Sequence, residues 1–209
     1  SFAIEIAARY VTIDFMGFKI SGHGAGSSAS GIGIAFSEKG ITIKNGAIHN
    51  FSGHGILFNG VRSSRVENMQ ILDNGGYGIA ECEAGIIKNN IISGNNEGGI
   101  DADESVIEGN NVFWNEGIGI AGTENRVKNN SVYKNDGIGI ACYDACSIIE
   151  NSVIENNRDD LEESAGIRIC YDSVVKGNIV VDNLQTGILI PLYKPGSYSN
   201  NCIEGNHQE

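Results

Sequence analysis

The phrase NNSVYKNDGIGI, residues 129–140, returns in altered form about every twenty residues, and nothing else in the chain constrains its fold as strongly. Aligned on the Gly-Ile phrase, eight copies begin at Gly31, Gly53, Gly76, Glu97, Gly117, Gly137, Ser164 and Gln185, with steps of 22, 23, 21, 20, 20, 27 and 21 residues. The long step contains NRDDLEES, residues 157–164, which reads as a polar loop inserted in one repeat. A degenerate unit, VTIDFMGFKISG at 11–22, precedes the eight, and SFAIEI at 1–6 can add a strand.

Each copy has one grammar: the Gly-Ile phrase, a short apolar run, Asn, a third apolar position, and a second Asn. The first Asn column is Asn45, Asn68, Asn90, Asn110, Asn130, Asn151, Asn178 and Asn201; the second is Asn50, Asn74, Asn95, Asn115, Asn135, Asn156, Asn183 and Asn206. Seven pairs are five residues apart, whereas Asn68 and Asn74 are six apart. The apolar runs are too short for helices and Gly recurs in every unit, so they read as strands divided by turns. A unit of about 21 residues cannot bury its own apolar side chains, but stacked on its neighbours it can. Like strands then pair in parallel about 4.8 Å apart, and eight or nine coils make a rod roughly 40 Å long. Asn stands over Asn, passing amide hydrogen bonds along the stack while accepting the bent backbone.

Composition agrees. The 209 residues hold 29 Gly and only 2 Pro, and aromatics are 7%, so the interior must be filled mainly by Ile and Val. The formal charge of -12 argues against nucleic acid and against a grip on anionic lipid. An anionic polysaccharide would need bridging metal ions, while neutral glycans stay open. No apolar stretch is long enough for membrane insertion. The five cysteines fit no zinc spacing and read as buried thiols, with a Cys142–Cys170 disulfide as the alternative.

The pattern GIxI…(V/I)xxN…(V/I)xxN resembles the right-handed parallel β-helix repeats of the pectate lyase-like superfamily over residues 11–206. The fold expected is therefore all-β: a right-handed parallel β-helix of about eight to nine coils, three short strands per coil, as a single domain over 1–209. A leucine-rich solenoid would need a Leu framework, and a calcium-binding nonapeptide roll a short Gly-Gly-Asp period; the chain has neither. The resemblance implies a bias toward carbohydrate polymers and toward an extracellular or cell-surface location. It does not choose an activity, because that fold hosts lyases, epimerases, tail spikes and binding modules.

Columns suggest which side chains share a face. Counting the Gly-Ile phrase as positions one to four, position four is Ile34, Ile56, Ile79, Ile100, Ile120, Ile140, Ile167 and Ile188, which points inward. Position five then points out and includes Asp101 and Arg168; position seven carries Asp103, Thr123 and Tyr143. At position eight Glu83, Glu104, Glu124 and Asp144 follow one another on consecutive coils. In water two charges about 5 Å apart repel by only about 0.8 kcal/mol, so a solvated acidic face accounts for this run. Carboxylates are also hard ligands, and Asp103, Glu104, Glu124 and Asp144 are the candidate calcium ligands. Tyr143, Tyr171 and Asp101 are the candidate glycan contacts. The resemblance to lyases, which often use a basic proton abstractor, makes Arg168 or Lys176 the candidate base. SGHG at 21–24 and 52–55 is similar to a polygalacturonase signature, but its companion motifs are missing; His23 and His54 read as Gly-flanked turn residues. Packing is the expected role of Trp114.

Two functions follow. The first is a non-catalytic glycan-binding or structural rod. The second is a calcium-assisted lyase or epimerase acting on a uronate-containing polymer. Exposed strand edges at both ends would suit an end-to-end partner or the remainder of a parent chain.

Overall fold

The computed structural model describes residues 1–23, 29–156, 164–190 and 196–207. Asp159, Asp160 and most of the inserted loop lie outside the described residues, as do Pro191 and Pro195. All regular structure among the described residues is strand. Nine strands form one parallel sheet, which is the first wall of a solenoid. Sixteen form a second sheet that serves the other two walls, because Thr42–His49 and Arg65–Leu72 run unbroken across both. One coil illustrates the plan: Gly98–Asp103, Val106–Glu108 and Asn111–Phe113 pair in parallel with the equivalent strands of the coils before and after. The first coil consists of Phe2–Ile6, Thr12–Asp14 and Lys19–Ser21. Residues 1–6 thus supply the strand expected of them.

Three files of aliphatic side chains, one per wall, fill most of the interior. Ile79, Ile100 and Ile120 come from the first wall, Ile87, Ile107 and Val127 from the second, and Ile92, Val112 and Val132 from the third; none is more than 2% exposed. The Gly of the Gly-Ile phrase is required by this packing. A Cβ at Gly119 would lie 2.6 Å from Gly139 O, 2.7 Å from Val132 Cγ1 and 2.9 Å from Asn135 Nδ2. The same three kinds of atom crowd Gly78, Gly99 and Gly139. In this coil shape the Gly and the Ile after it both face inward, and only a residue without a side chain lets the third wall and the corner amide close in.

One file differs from the expected one. Ile32, not Ile34, stacks on Ile56, and Ile34 stacks on Ile6. The run GIGI at 31–34 offers two inward Ile residues two apart, so the phrase alone leaves the register open by two; pairing with the neighbouring coils decides it.

The Asn columns also divide. Asn90, Asn110, Asn130, Asn151 and Asn178 are buried at the corner between the second and third walls, and Asn74, Asn95, Asn115, Asn135, Asn156 and Asn183 at the next corner. From Asn95 and Asn110 onward, each amide oxygen accepts from the backbone N–H and the side-chain Nδ2 of the Asn one coil earlier, as in Asn110 N and Nδ2 to Asn130 Oδ1 at 2.9 and 3.0 Å. The bend itself falls on the residue before. Asn89, Asn129 and Glu150 are left-handed, with φ near 55°. Asn45, Asn50 and Asn68 belong to these bend files, with φ of 60°, 60° and 55°. Met69 and Phe51 take the ladder positions in their coils, each donating its N–H to the next Asn. That explains why Asn68 and Asn74 are six apart.

Cysteines need a correction as well. Cys142 is bonded to Cys146, four residues on, and not to Cys170. Cys82 is buried and free, with burial pushing its thiol up to about 12.

Candidate ligand-binding face

The outer surface of the first wall gathers most of the predicted residues. One outward file runs Leu57, Ala80, Asp101, Ala121, Ala141, Arg168 and Leu189. Asp101 and Arg168 therefore share a file three coils apart, about 14 Å by strand spacing. Tyr143 lies beside them, 39% exposed, because the strand bulges there: Gly122 pairs with Cys142 but Thr123 with Asp144, leaving Tyr143 as the extra residue. Tyr77 joins from the other edge, its ring lying over Gly98 at 2.5 Å from a built Cβ. Alternation back from Ile79 would have put Tyr77 inside; the double inward turn at Gly78 and Ile79 puts it outside. The bulky groups close over the small ones, leaving Ala121 and Ala141 only 4% and 2% exposed. The result is a paved face with polar tips.

These tips share one electrostatic neighbourhood. Burial raises the Asp101 carboxyl above the usual range, against a backbone hydrogen bond from Glu81 N, and Asp103 and Glu81 raise it further. Burial also raises both phenols. The Asp101 charge adds to each, and Arg168 opposes it at Tyr143. Because the folded chain holds the Asp101 proton more tightly than the unfolded chain, this group's contribution falls as pH rises from the ordinary carboxylate value through the raised one. Relative to the native chain, Asp101→Asn should therefore gain in melting temperature as pH rises above the ordinary carboxylate value. Parallel curves for the variant and the native chain would show that burial does not perturb this carboxyl.

The acidic run is not one file. The coils of Glu83 and Asp144 each carry an extra residue before the corner, at Glu81 (φ 54°) and Tyr143. Glu83 therefore pairs with Asp103 and Thr123 with Asp144, while Glu104 and Glu124 sit in the left-handed corner beside Ala84 and Ala145. Thr123 N and Oγ1 donate to Asp103 Oδ1 at 2.7 and 2.8 Å. Arg62 pairs with both Glu83 and Glu104, and its charge offsets part of the repulsion. Among the described residues no three His, Cys, Asp or Glu side chains are grouped so as to hold a metal ion. Arg62 escaped the sequence reading because the loop before it is longer than in the coil that follows; a basic residue one coil before an acid was the available signal.

Tyr171 is at the first corner of the following coil, 45% exposed, its carbonyl accepting from Ser173 Oγ at 2.6 Å. Lys176 is apart from all of these. It lies on the second wall, in a file Asp14, Lys44, Glu67, Lys88, Glu108, Lys128, Ile149, Lys176 whose charges alternate as far as Lys128. Arg168 and Lys176 therefore cannot serve one site. The alternation is a surface device that gives opposite-charge neighbours such as Lys88–Glu108 at 3.2 Å. His54 is Gly-flanked as expected, and its Nδ1 accepts the Tyr77 N–H at 2.9 Å. The 3.7 Å approach of Glu97 to that same nitrogen is then no ion pair, since an accepting Nδ1 carries no proton. Trp114 corrects the packing expectation, being 57% exposed at the third corner.

A three-walled parallel β-solenoid, with Tyr77 and Tyr143 on its first wall, defines the class. Residues 9–159 match the family described as "Periplasmic copper-binding protein (NosD)", and the chain belongs to that family. Among solved structures the fold is similar to the Azotobacter vinelandii mannuronan C-5 epimerase AlgE4 A-module, with TM-score 0.60, 12% identity, and 100% of this chain and 76% of that one covered. It is also similar to the periplasmic alginate epimerase AlgG T265N mutant, with TM-score 0.64, 17% identity and coverage of 88% and 58%. The Dettilon tailspike protein gp208 gives TM-score 0.64, 15% identity and coverage of 98% and 55%. No curated protein matches the sequence. At these identities the likeness is one of fold.

Among the described residues the donors do not gather into a site for the copper of the family's description: no three His, Cys, Asp or Glu side chains are grouped, Cys142 and Cys146 are bonded together, and Met69 is 1% exposed inside the coil.

Proposed function

We propose that this protein is a non-catalytic rod that binds a neutral glycan along its first wall. The observation that carries the reading is the placement of Tyr77, Asp101, Tyr143 and Arg168 on the outer face of the first wall, within a run of five coils. Tyrosine rings offer apolar faces with a polar tip, and Asp101 and Arg168 offer an acceptor and donors for hydroxyl groups. A net charge of -12, with Glu81 and Asp103 around Asp101 and Glu97 near Tyr77, disfavours a polyuronate. A polysaccharide partner is in keeping with the mannuronan and alginate in the neighbours' names. The Cys142–Cys146 disulfide, with the periplasmic description of the family, supports a site of action outside the cytoplasm.

Titration calorimetry with soluble xyloglucan, galactomannan and β-glucan tests this. Tyr143→Ala should weaken binding by roughly tenfold, about 1.4 kcal/mol. If none of the three binds, the reading fails. If alginate or polygalacturonate with calcium instead yields unsaturated, ultraviolet-absorbing products, the calcium-assisted lyase replaces it.

A further inference from the structure

The residue after each third-wall strand is left-handed. The file reads Asp73, Gly94, Trp114, Lys134, Glu155, Asp182 and Gly205, with φ between 51° and 66°. Gly takes this conformation freely and Asp tolerates it, whereas a bulky aromatic there is an outlier that carries a conformational cost. Burial does not offset that cost at Trp114, because 57% of the residue stays exposed. The indole is nonetheless in contact with a second ring. It meets Phe113 edge-on, with centroids 5.3 Å apart and planes at 67°, and Phe113 is stacked on Tyr133 at 4.9 Å and 4°. An exposed, braced, conformationally disfavoured ring is what a binding surface retains and a packing role does not explain.

The space beside it has the matching chemistry. A cleft of about 420 Å³ runs from Trp114 along Lys134, Glu155 and Asp182, with Leu184, 48% exposed, on its flank. Lys134 and Glu155 are paired at 3.2 Å. The cleft thus combines an indole face and a leucine with one donor and two acceptor side chains. Its floor spans three coil spacings, about 14 Å.

We infer that this corner is a second glycan site, which takes a neutral oligosaccharide with one pyranose ring stacked on Trp114. The C–H face of a pyranose matches the indole. Its hydroxyls match Lys134, Glu155 and Asp182, and two acids against one lysine disfavour a uronate. The site is on a different corner from the first-wall face and does not need it; both together would let one rod grip a polymer at two places, which raises avidity.

Trp114 is the only tryptophan in the chain, so intrinsic fluorescence reports this site alone. Titration with cellohexaose, xylohexaose and mannohexaose should shift the emission saturably and protect it from acrylamide. The response should persist in Asp101→Ala/Tyr143→Ala and weaken at least fivefold in Lys134→Ala/Asp182→Ala. Trp114→Gly, which suits the left-handed corner, should melt no lower than the native chain yet lose at least tenfold in calorimetric affinity for the responding sugar. No spectral change with any of the three sugars overturns the site, as does unchanged affinity in Trp114→Gly. A response to oligolysine but to no sugar also overturns it, in favour of a cationic peptide. Loss of the response in Asp101→Ala/Tyr143→Ala would overturn its independence and return all binding to the first wall.

Discussion

Asn130→Ala is expected to destabilise the protein by about 3–5 kcal/mol, seen as a large fall in the urea midpoint. The side chain is 2% exposed and fully engaged. Its Nδ2 donates to Ile107 O at 2.9 Å, Lys128 O at 3.1 Å and Asn151 Oδ1 at 3.0 Å, and its Oδ1 accepts from Asn110 N and Nδ2. Truncation leaves at least Asn110 N–H and Ile107 C=O buried without these partners, each worth about 1–3 kcal/mol, and opens a gap in the corner. The control is one residue away. Asn129 is exposed and left-handed, and other coils put Gly109 and Gly177 in the same file. Asn129→Gly should change stability by less than about 1 kcal/mol. Equal effects at 129 and 130 would show that the buried file does not carry the corner.

Gly119→Ala is expected to cost about 2–4 kcal/mol, by the same measurement. Gly119 is not left-handed, so the penalty is steric. The new methyl would press on the carbonyl of Gly139, a core methyl of Val132 and the ladder amide of Asn135. Two of these are fixed by backbone pairing or a hydrogen-bonded file, so the next coil must move away and its parallel bonds stretch. Gly177→Asn is the contrasting case: φ is 68°, the nearest atom is Glu150 Cγ at 3.5 Å, and Asn already serves at 89, 129 and 200 in that file. It should be tolerated within about 1 kcal/mol. A Gly119→Ala protein as stable as the native chain would mean that the coils can part without loss, contrary to close packing.

The period was readable because stacking makes each coil the template for the next: any residue type that fits a corner or a core once must fit it again one coil later. Ile79, Ile100 and Ile120, the Asn pairs and the first-wall strand at 2–6 are all of this kind. What lay outside that logic were single insertions. An extra residue at Glu81 or Tyr143 leaves the repeat count nearly unchanged but moves Glu83 and Asp144 to another file, which broke the expected acidic ridge into two. A longer loop before it hid Arg62. Tyr77 was concealed by the two consecutive inward residues, Gly78 and Ile79, which simple alternation does not allow.

From sequence alone, then, came the parallel stack, its core files and the presence of Asn at two corners, since these depend on a pattern repeated many times and tolerant of local error. Only the tertiary structure decided which wall each charge occupies, that Lys176 stands apart from Arg168, and that Trp114 faces water. Those outcomes turn on bulges and bends of one residue, and in a strand one residue is the difference between one face and the other.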